Sequence, residues 1–205
     1  MALVDVPLIR QKGRMTTHFD SLPRSVCVYC GSAPGHDPRF RADAAALGTA
    51  LAEAGIGLVY GGGNSGLMGE VARSVLQNGG YVTGIIPEFL KSRELMLDGA
   101  QEMIVVNDMH TRKRLMFERS AAFVALPGGM GTLEELFEQV TWVQLEQHDK
   151  PVVIANLHHF WDPLLHLIEH VKTSGFVRPG LAPHFEVVDD VRQIVPILKS
   201  RCPAL

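Results

Sequence analysis

Short apolar runs and longer amphipathic stretches alternate along this chain. Strands are predicted at Ser25–Tyr29, Ile56–Tyr60, Tyr81–Ile86, Glu102–Val106, Ala122–Leu126, Pro151–Asn156 and Phe185–Val188. Most of these runs are apolar throughout, which indicates parallel strands buried on both faces. The pattern predicts an α/β, Rossmann-like three-layer fold with a mainly parallel sheet covered by helices on both faces.

Helices are predicted in the segments between these strands. Proline and polar residues mark several starts, and glycine marks several ends. The predicted helices cover residues 38–54, 67–77, 109–120, 133–147, 162–173 and 190–199. Residues 88–100 have no clean period and are predicted to form a lid or an irregular loop. We expect residues 1–24 to be an N-terminal extension and residues 25–205 a single domain.

Composition narrows the class of protein without identifying it. The 205 residues are 46% hydrophobic, which is sufficient for a sizeable core, and their formal net charge is −3. This charge disfavours a broad electrostatic attraction to nucleic acid. No apolar run approaches the roughly 18 residues of a membrane span. The three cysteines are odd in number and do not form a disulfide framework, so a reducing, cytoplasmic setting is expected.

A first glycine loop follows the second predicted strand. Gly61-x-Gly63-x-x-Gly66 matches a dinucleotide fingerprint, with Glu88 at about the distance of the acidic residue that binds ribose. The loop lies in the second strand–helix unit rather than the first. This position makes a nicotinamide cofactor a less favoured ligand for the loop. A tight turn with no ligand is the second interpretation. The favoured one is a wall for a phosphate or ribose, with Gly62 and Gly63 as candidate substrate contacts.

A second glycine loop, Pro127 to Glu135, runs from a buried strand into a helix. Free backbone N–H groups and the positive end of the helix macrodipole make such a turn an anion site. Thr132 and Glu135 also have the spacing of a capping box, which needs no function. The sequence therefore leaves Glu135 open between a cap and a chemical role.

Three cations occupy the first turns of the helix that begins near Met109. Arg112, Lys113 and Arg114 stand where the macrodipole disfavours positive charge, so they are expected to have anionic partners. One interpretation is an ion pair with Glu102 or Asp108, or a solvated face. The other is a ligand phosphate or a carboxylate such as Glu135. Adjacent residues on a helix point about 100° apart, so the first two cations are expected to have different roles.

Four motifs occur together in one order. They are Gly61-Gly62-Gly63-x-x-Gly66-Leu67-Met68-Gly69, Met109-His110-x-Arg112-Lys113, Pro127-Gly128-Gly129-x-Gly131-Thr132-Leu133-Glu134-Glu135 and Thr141-Trp142-x-Gln144-Leu145. With these motifs the chain closely resembles the LONELY GUY (LOG) family, the cytokinin riboside 5′-monophosphate phosphoribohydrolases. Family members were long labelled lysine decarboxylases, but no lysine here has a recognisable pyridoxal phosphate context.

The resemblance implies a homodimer that hydrolyses the N-glycosidic bond of N6-modified adenosine monophosphates, or of AMP. Carried over by position, Arg112 and Glu135 are the expected catalytic pair. The other expected substrate contacts are Glu94, Lys113, Gly129, Met130, Gly131, Thr132, Leu133, Glu134 and Thr141. No metal and no cofactor is expected. The chain departs from the family in its N-terminal extension and at Ser92–Asp98, so the preferred N6 substituent stays open.

The sequence thus leads to a mechanistic hypothesis with rivals. Glu135 would stabilise an oxocarbenium-like sugar, Arg112 would hold that carboxylate ionised, and the N–H groups of Gly129–Thr132 would hold the phosphate. A non-catalytic nucleotide or molybdenum-cofactor carrier or sensor is one alternative. A nicotinamide oxidoreductase is another.

Overall fold

Seven parallel strands form one sheet in the structure, a computed structural model that describes residues 24–91, 96–178, 180–203 and 205. The strands are β1 (Ser25–Tyr29), β2 (Gly57–Tyr60), β3 (Val82–Pro87), β4 (Glu102–Val106), β5 (Ala122–Ala125), β6 (Val152–Ala155) and β7 (Glu186–Val188). Their order across the sheet is β4-β3-β2-β1-β5-β6-β7. The predicted α/β fold class is confirmed, and every predicted strand lies close to its expected bounds.

Helices follow most of the strands, as the sequence predicts. They are α1 (Arg39–Glu53), α2 (Gly66–Gln77), α3 (Met109–Glu118), α4 (Met130–Gln144), α5 (Asp162–Thr173) and α6 (Ile194–Arg201). The last of these begins only after a 3-10 turn at Val191–Gln193, because the Asp190 side chain accepts a hydrogen bond from the Arg192 N–H at 2.8 Å. Within the described ranges, no helix combines the length and the apolar character that crossing a membrane requires.

The sheet separates two hydrophobic clusters. Since successive side chains of a strand point to opposite faces, Val26 and Val28 join the cluster that packs α1, α2 and α6. Cys27 and Tyr29 join the cluster that packs α3, α4 and α5. Cys30 belongs to the first cluster, so its free thiol and that of Cys27 are packed in different clusters. Both faces of the sheet are therefore covered, which explains the continuously apolar strands.

The order of the strands reverses between β1 and β5. From β1 the chain moves through β2 and β3 towards one edge, and from β5 it moves through β6 and β7 towards the other. Ligands of open parallel sheets bind outside the carboxyl ends of the strands at such a switch point. The two glycine loops and the first turn of α4 follow β2 and β5, which are close to this point. Helix α3 follows the edge strand β4, at the same carboxyl edge of the sheet.

Candidate active site

Three loops meet at the switch point between β1 and β5. The Gly31 N–H donates to the Pro127 carbonyl at 3.1 Å, and the Leu67 N–H donates to the Gly31 carbonyl at 3.0 Å. A Cβ on Gly128 would lie 2.1 Å from the Thr132 Oγ1 atom, so the buried Thr132 hydroxyl packs directly over that glycine. The loops after β1, β2 and β5 therefore converge at one edge of the sheet.

Helix α4 begins at Met130, three residues before its predicted start. Gly129 is the N-cap, with extended backbone angles of φ −98° and ψ −154°. Thr132 is consequently the third residue of the helix and Glu135 the sixth, which excludes the capping box that their spacing suggests. The first N–H groups of a helix have no partner within it, and those of Met130, Gly131 and Thr132 are in this first turn.

Two glycines of this turn have no packing reason among the described residues. A Cβ added to Gly129 or to Gly131 meets none of their heavy atoms within 4 Å. Neither residue has a positive φ, so the backbone of each is open to any L-amino acid. Glycine inside a helix costs about 0.5–1 kcal/mol relative to alanine. The described part of the chain therefore gives no structural reason for glycine at these two positions, and a bare backbone is what a closely approaching ligand requires.

Arg112 is fixed by backbone carbonyls. The residue is 6% exposed, and its guanidinium donates from Nε to the Ile85 carbonyl and from Nη2 to the Gly61 carbonyl, each at 3.1 Å. A Cβ on Gly61 would lie 2.0 Å from Nη2, so this glycine makes room for the arginine. The side chain thus reaches from α3 across the carboxyl ends of β2 and β3.

The carboxylates first considered as partners of these cations have other roles. Asp108 caps α3 by accepting from the Thr111 N–H at 2.8 Å. Glu102 forms an ion pair with Arg119. The interpretation that either carboxylate neutralises Arg112 or Lys113 is therefore wrong.

Glu135 is buried where α4 faces the end of β1. Burial raises the pKa of the Cys30 thiol, and the Glu135 charge raises it further. Burial and Glu135 likewise raise the pKa of Cys27, while Arg112 acts on the same thiol in the opposite direction. Glu135 and Arg112 thus stand within electrostatic reach of one buried atom, from α4 and α3 respectively.

Lys113 contacts α4 rather than open solvent. Its Nζ atom donates to Glu134 and to Glu138, which lie one helical turn apart. Burial opposes the charge of the ammonium group, yet the two carboxylates outweigh it and raise the pKa of Lys113. Glu138 carries no motif signal, and only the position of α3 relative to α4 reveals its role.

The remaining predicted contacts divide by location. Gly62, with φ +81°, and Gly63, which bridges to Met96, follow β2 on the same edge of the sheet. Leu133 is half-buried in the first turns of α4. Thr141 is exposed, and by helix rise it lies about 18 Å along the axis from Gly129. The structure therefore does not bring Thr141 to this site within one chain, and Glu94 lies outside the described residues.

One cavity beside these loops has no signal in the sequence. A space of about 210 Å³ lies between the loops after β1 and β5, walled by Phe40, Leu67 and Phe160. The rings of Phe40 and Phe160 meet edge to face at 5.5 Å. Before Phe160, His158 and His159 both have left-handed backbone angles, and His158 bonds Asp43 at 2.7 Å. Such angles are uncommon for histidine, and no periodicity predicts them.

Comparison with known proteins places the chain in a family. The family described as "Possible lysine decarboxylase" matches residues 68–198. A cytokinin riboside 5′-monophosphate phosphoribohydrolase of Rhodococcoides fascians is 43% identical over 87% of this chain and 90% of its own length. An enzyme of the same name from Oryza sativa is 47% identical over 88% of this chain and 74% of its own length. One from Arabidopsis thaliana is 41% identical over 90% of this chain and 87% of its own length. The chain belongs to the LOG family.

Solved structures agree on the fold alone. The molybdenum cofactor binding protein of Rippkaea orientalis is 22% identical over 88% of this chain and 98% of its own, with a TM-score of 0.63. The molybdenum cofactor carrier protein of Chlamydomonas reinhardtii is 21% identical over 87% and 98%, with a TM-score of 0.64. At this identity, similar architecture says nothing about ligand. The higher-identity LOG relatives instead favour a phosphoribohydrolase over a carrier.

Proposed function

We propose that this protein hydrolyses the N-glycosidic bond of cytokinin riboside 5′-monophosphates and of AMP. The products are the free base and ribose 5-phosphate. Curated LOG-family relatives at 41–49% identity are named for the first of these substrates. The proposal for AMP is supported by the N–H groups in the first turn of α4, here called the phosphate cradle. Both substrates carry the 5′-phosphate that we assign to it.

One observation carries the proposal: an unfilled glycine cradle lies beside two buried charged groups. None of the described residues fills the space over Gly129 and Gly131, and the helix N-terminus there attracts anions. We assign the 5′-phosphate to the N–H groups of this turn. Binding energy from the phosphate then orients the sugar for attack, which is how a remote group contributes to rate.

The buried charged groups supply the chemistry. Breaking a ribosyl–purine bond leaves positive charge on the sugar, and an ionised carboxylate near C1′ stabilises that charge. We assign this role to Glu135, which also positions or deprotonates the attacking water. Arg112, fixed by two carbonyls, is assigned to hold that carboxylate ionised, because a neighbouring cation lowers a carboxylate pKa.

The decisive experiment follows free base by chromatography after incubation with AMP or with isopentenyladenosine 5′-monophosphate. We expect both to be hydrolysed, and Glu135→Gln to lower kcat by about 10²-fold or more with the melting temperature retained. The matched control is Glu118→Gln, since this exposed carboxylate pairs only loosely with Arg114 at 3.7 Å. Normal turnover by Glu135→Gln would contradict the catalytic assignment.

A substrate without the 5′-phosphate tests the cradle separately. Isopentenyladenosine should be a poor substrate, because it forfeits the contacts at the α4 N-terminus. Equal turnover of nucleoside and nucleotide would remove the cradle from the mechanism. Tight nucleotide binding without release of base would instead favour the carrier or sensor alternative.

We further propose that the protein is a homodimer joined along α4. Met130, Phe137, Thr141 and Leu145 follow one stripe of this helix, and all are exposed. A second copy packed on the stripe would bury these apolar side chains and would bring its own Thr141 towards the neighbouring site. This arrangement reconciles the resemblance-based role of Thr141 with its distance from Gly129.

Light scattering after size exclusion measures the dimer directly. The double variant Phe137→Asp, Leu145→Asp should shift the protein from dimer to monomer, because two charges would be buried in the interface. Leu167→Asp on α5 is the control, since Leu167 is exposed to a similar degree on another helix. A wild-type monomer, or a dimer disrupted only by the control, would contradict the assignment of this face.

A further inference from the structure

We propose that Glu138 is a positioning residue that, with Glu134, clamps Lys113 and so sets the separation of Arg112 and Glu135. The inference rests on the proposed function and deepens it. It gives Lys113 a role different from the substrate contact that its family motif implies. No carboxylate at position 138 is assigned by the motifs of this chain.

The contacts of the ammonium group carry the first step. Lys113 is 8% exposed, and its Nζ atom donates to one oxygen of Glu134 and one oxygen of Glu138. The Glu138 side chain is 19% exposed and that of Glu134 54%, so Glu138 is the more buried partner. Ion pairs shielded from water are screened less by salt, which makes this contact the firmer one.

Chain connectivity carries the second step. Lys113 follows Arg112 directly on α3, and Glu134 precedes Glu135 directly on α4. The clamp therefore ties together the backbone neighbours of the two proposed catalytic residues. Because Arg112 and Glu135 are on the two helices that the clamp joins, a shift between these helices changes the distance between the two side chains.

Charge carries the third step. One ammonium facing two carboxylates leaves the cluster with net negative charge, which repels a phosphate rather than attracting it. An ammonium has three donors, and two of them are already directed at Glu134 and Glu138. The phosphate is accordingly better placed at the α4 N-terminus than at Lys113. The clamp and the cradle then have separate functions.

Steady-state kinetics on AMP can separate the clamp from a substrate contact. We expect Glu138→Gln and Lys113→Met each to lower kcat by about 10-fold while KM stays within about twofold, because misplaced groups cost rate rather than phosphate affinity. The double variant should be no slower than the slower single variant, since both changes break one clamp. Lys113→Arg, which keeps the charge and both acceptors, should retain most of kcat.

The controls make each outcome decisive. Glu118→Gln removes a carboxylate from the exposed side of α3 and should leave both kinetic constants unchanged. A rise in KM for Lys113→Met, with kcat unchanged and Glu138→Gln normal, would make Lys113 a substrate contact and overturn the clamp. If Glu138→Gln fails to melt cooperatively, Glu138→Asp, whose shorter side chain withdraws the carboxylate from Lys113, takes its place beside Lys113→Met.

Failure of the clamp and failure of the proposed function look different. A wild-type protein that releases base, together with a Glu138→Gln variant of unchanged kcat, overturns only the clamp. A wild-type protein that releases no base from either nucleotide overturns the proposed function, and the inference with it. Equal losses in kcat for the control Glu118→Gln would also overturn the clamp, because the effect would then not be specific to position 138.

Discussion

The two glycine loops at the carboxyl edge of the sheet look alike in sequence and differ in what their glycines do. In the loop after β2, the protein itself occupies the space that glycine leaves. Gly61 admits the Arg112 guanidinium, Gly62 has φ +81° against Ile86, and Gly66 has φ +58° against the backbone of Ser32. Each of these glycines has a reason inside the folded chain.

In the loop after β5, the glycines that follow Gly128 have no such reason within the described chain. Gly128 is needed under Thr132, but Gly129 and Gly131 face open space with ordinary backbone angles. A glycine that neither packing nor conformation requires points to a molecule that the chain does not contain. The comparison teaches that glycine spacing alone does not identify a phosphate site. What a Cβ would meet at each position does distinguish the two cases.

The largest effect is expected at Gly61, the glycine of the first loop that makes room for Arg112. Gly61→Ala would put a Cβ 2.0 Å from the Nη2 atom, so the guanidinium must leave its carbonyl partners. We expect kcat to fall by about 10²-fold and stability to fall by about 1–3 kcal/mol, as for other overpacked sites. Kinetics combined with urea unfolding measures both losses. A fully active, fully stable variant would contradict the explanation of the first loop.

In the second loop, we expect one substitution to lower the activity of the protein and to raise its stability. Gly131→Ala adds a methyl group to a helical residue in open space, which should stabilise the protein by about 0.5–1 kcal/mol. The same methyl group stands where the phosphate is proposed to approach, so kcat/KM should fall by about 10-fold or more. Thermal unfolding and AMP hydrolysis of one preparation test both signs. If activity is retained, the ligand does not rest on Gly131.

Sequence reasoning predicted the positions of the strands and several of the residues that lie at the carboxyl edge of the sheet. It did so because buried parallel strands have a strong compositional signature, and because their carboxyl ends necessarily share an edge. It misplaced the start of α4, since Thr132 and Glu135 imitate a capping box that begins three residues too late. Extended backbone angles at Gly129, invisible in the sequence, decide the true start.

The partners of the cations were also beyond sequence reasoning. The macrodipole argument correctly indicates that Arg112 and Lys113 need partners, but it cannot choose between them. Arg112 bonds to the carbonyl of Gly61, 51 residues earlier, and Lys113 bonds to Glu138, 25 residues later. These pairs exist only because β2, β3 and two helices pack together, so no local spacing encodes them. Backbone carbonyls are acceptors at every residue, and the sequence does not mark which one is used.

A smaller effect, limited to stability, is expected at the end of the first loop. Gly66→Ala would force φ +58° on an alanine and press its Cβ to 2.4 Å from the Ser32 carbonyl carbon. Stability should fall by about 1–3 kcal/mol through strain and overpacking. Activity per folded molecule should change little, because this glycine is proposed to touch backbone rather than substrate. A selective loss of activity with stability unchanged would move Gly66 into the substrate site.

The last prediction is that nicotinamide nucleotides have no effect on the melting temperature. It tests the interpretation of the first loop as a dinucleotide site. A nicotinamide cofactor needs the glycines of its fingerprint bare, so that the pyrophosphate can approach the backbone. Here Arg112 already occupies the space over Gly61, and Ser32 that over Gly66. NAD⁺ or NADP⁺ should therefore leave the melting temperature unchanged, although a ligand at 100 times its Kd would add about 2.7 kcal/mol. AMP serves as the positive control on the same protein, and a shift with NAD⁺ but not with AMP would reverse the roles assigned to the two loops.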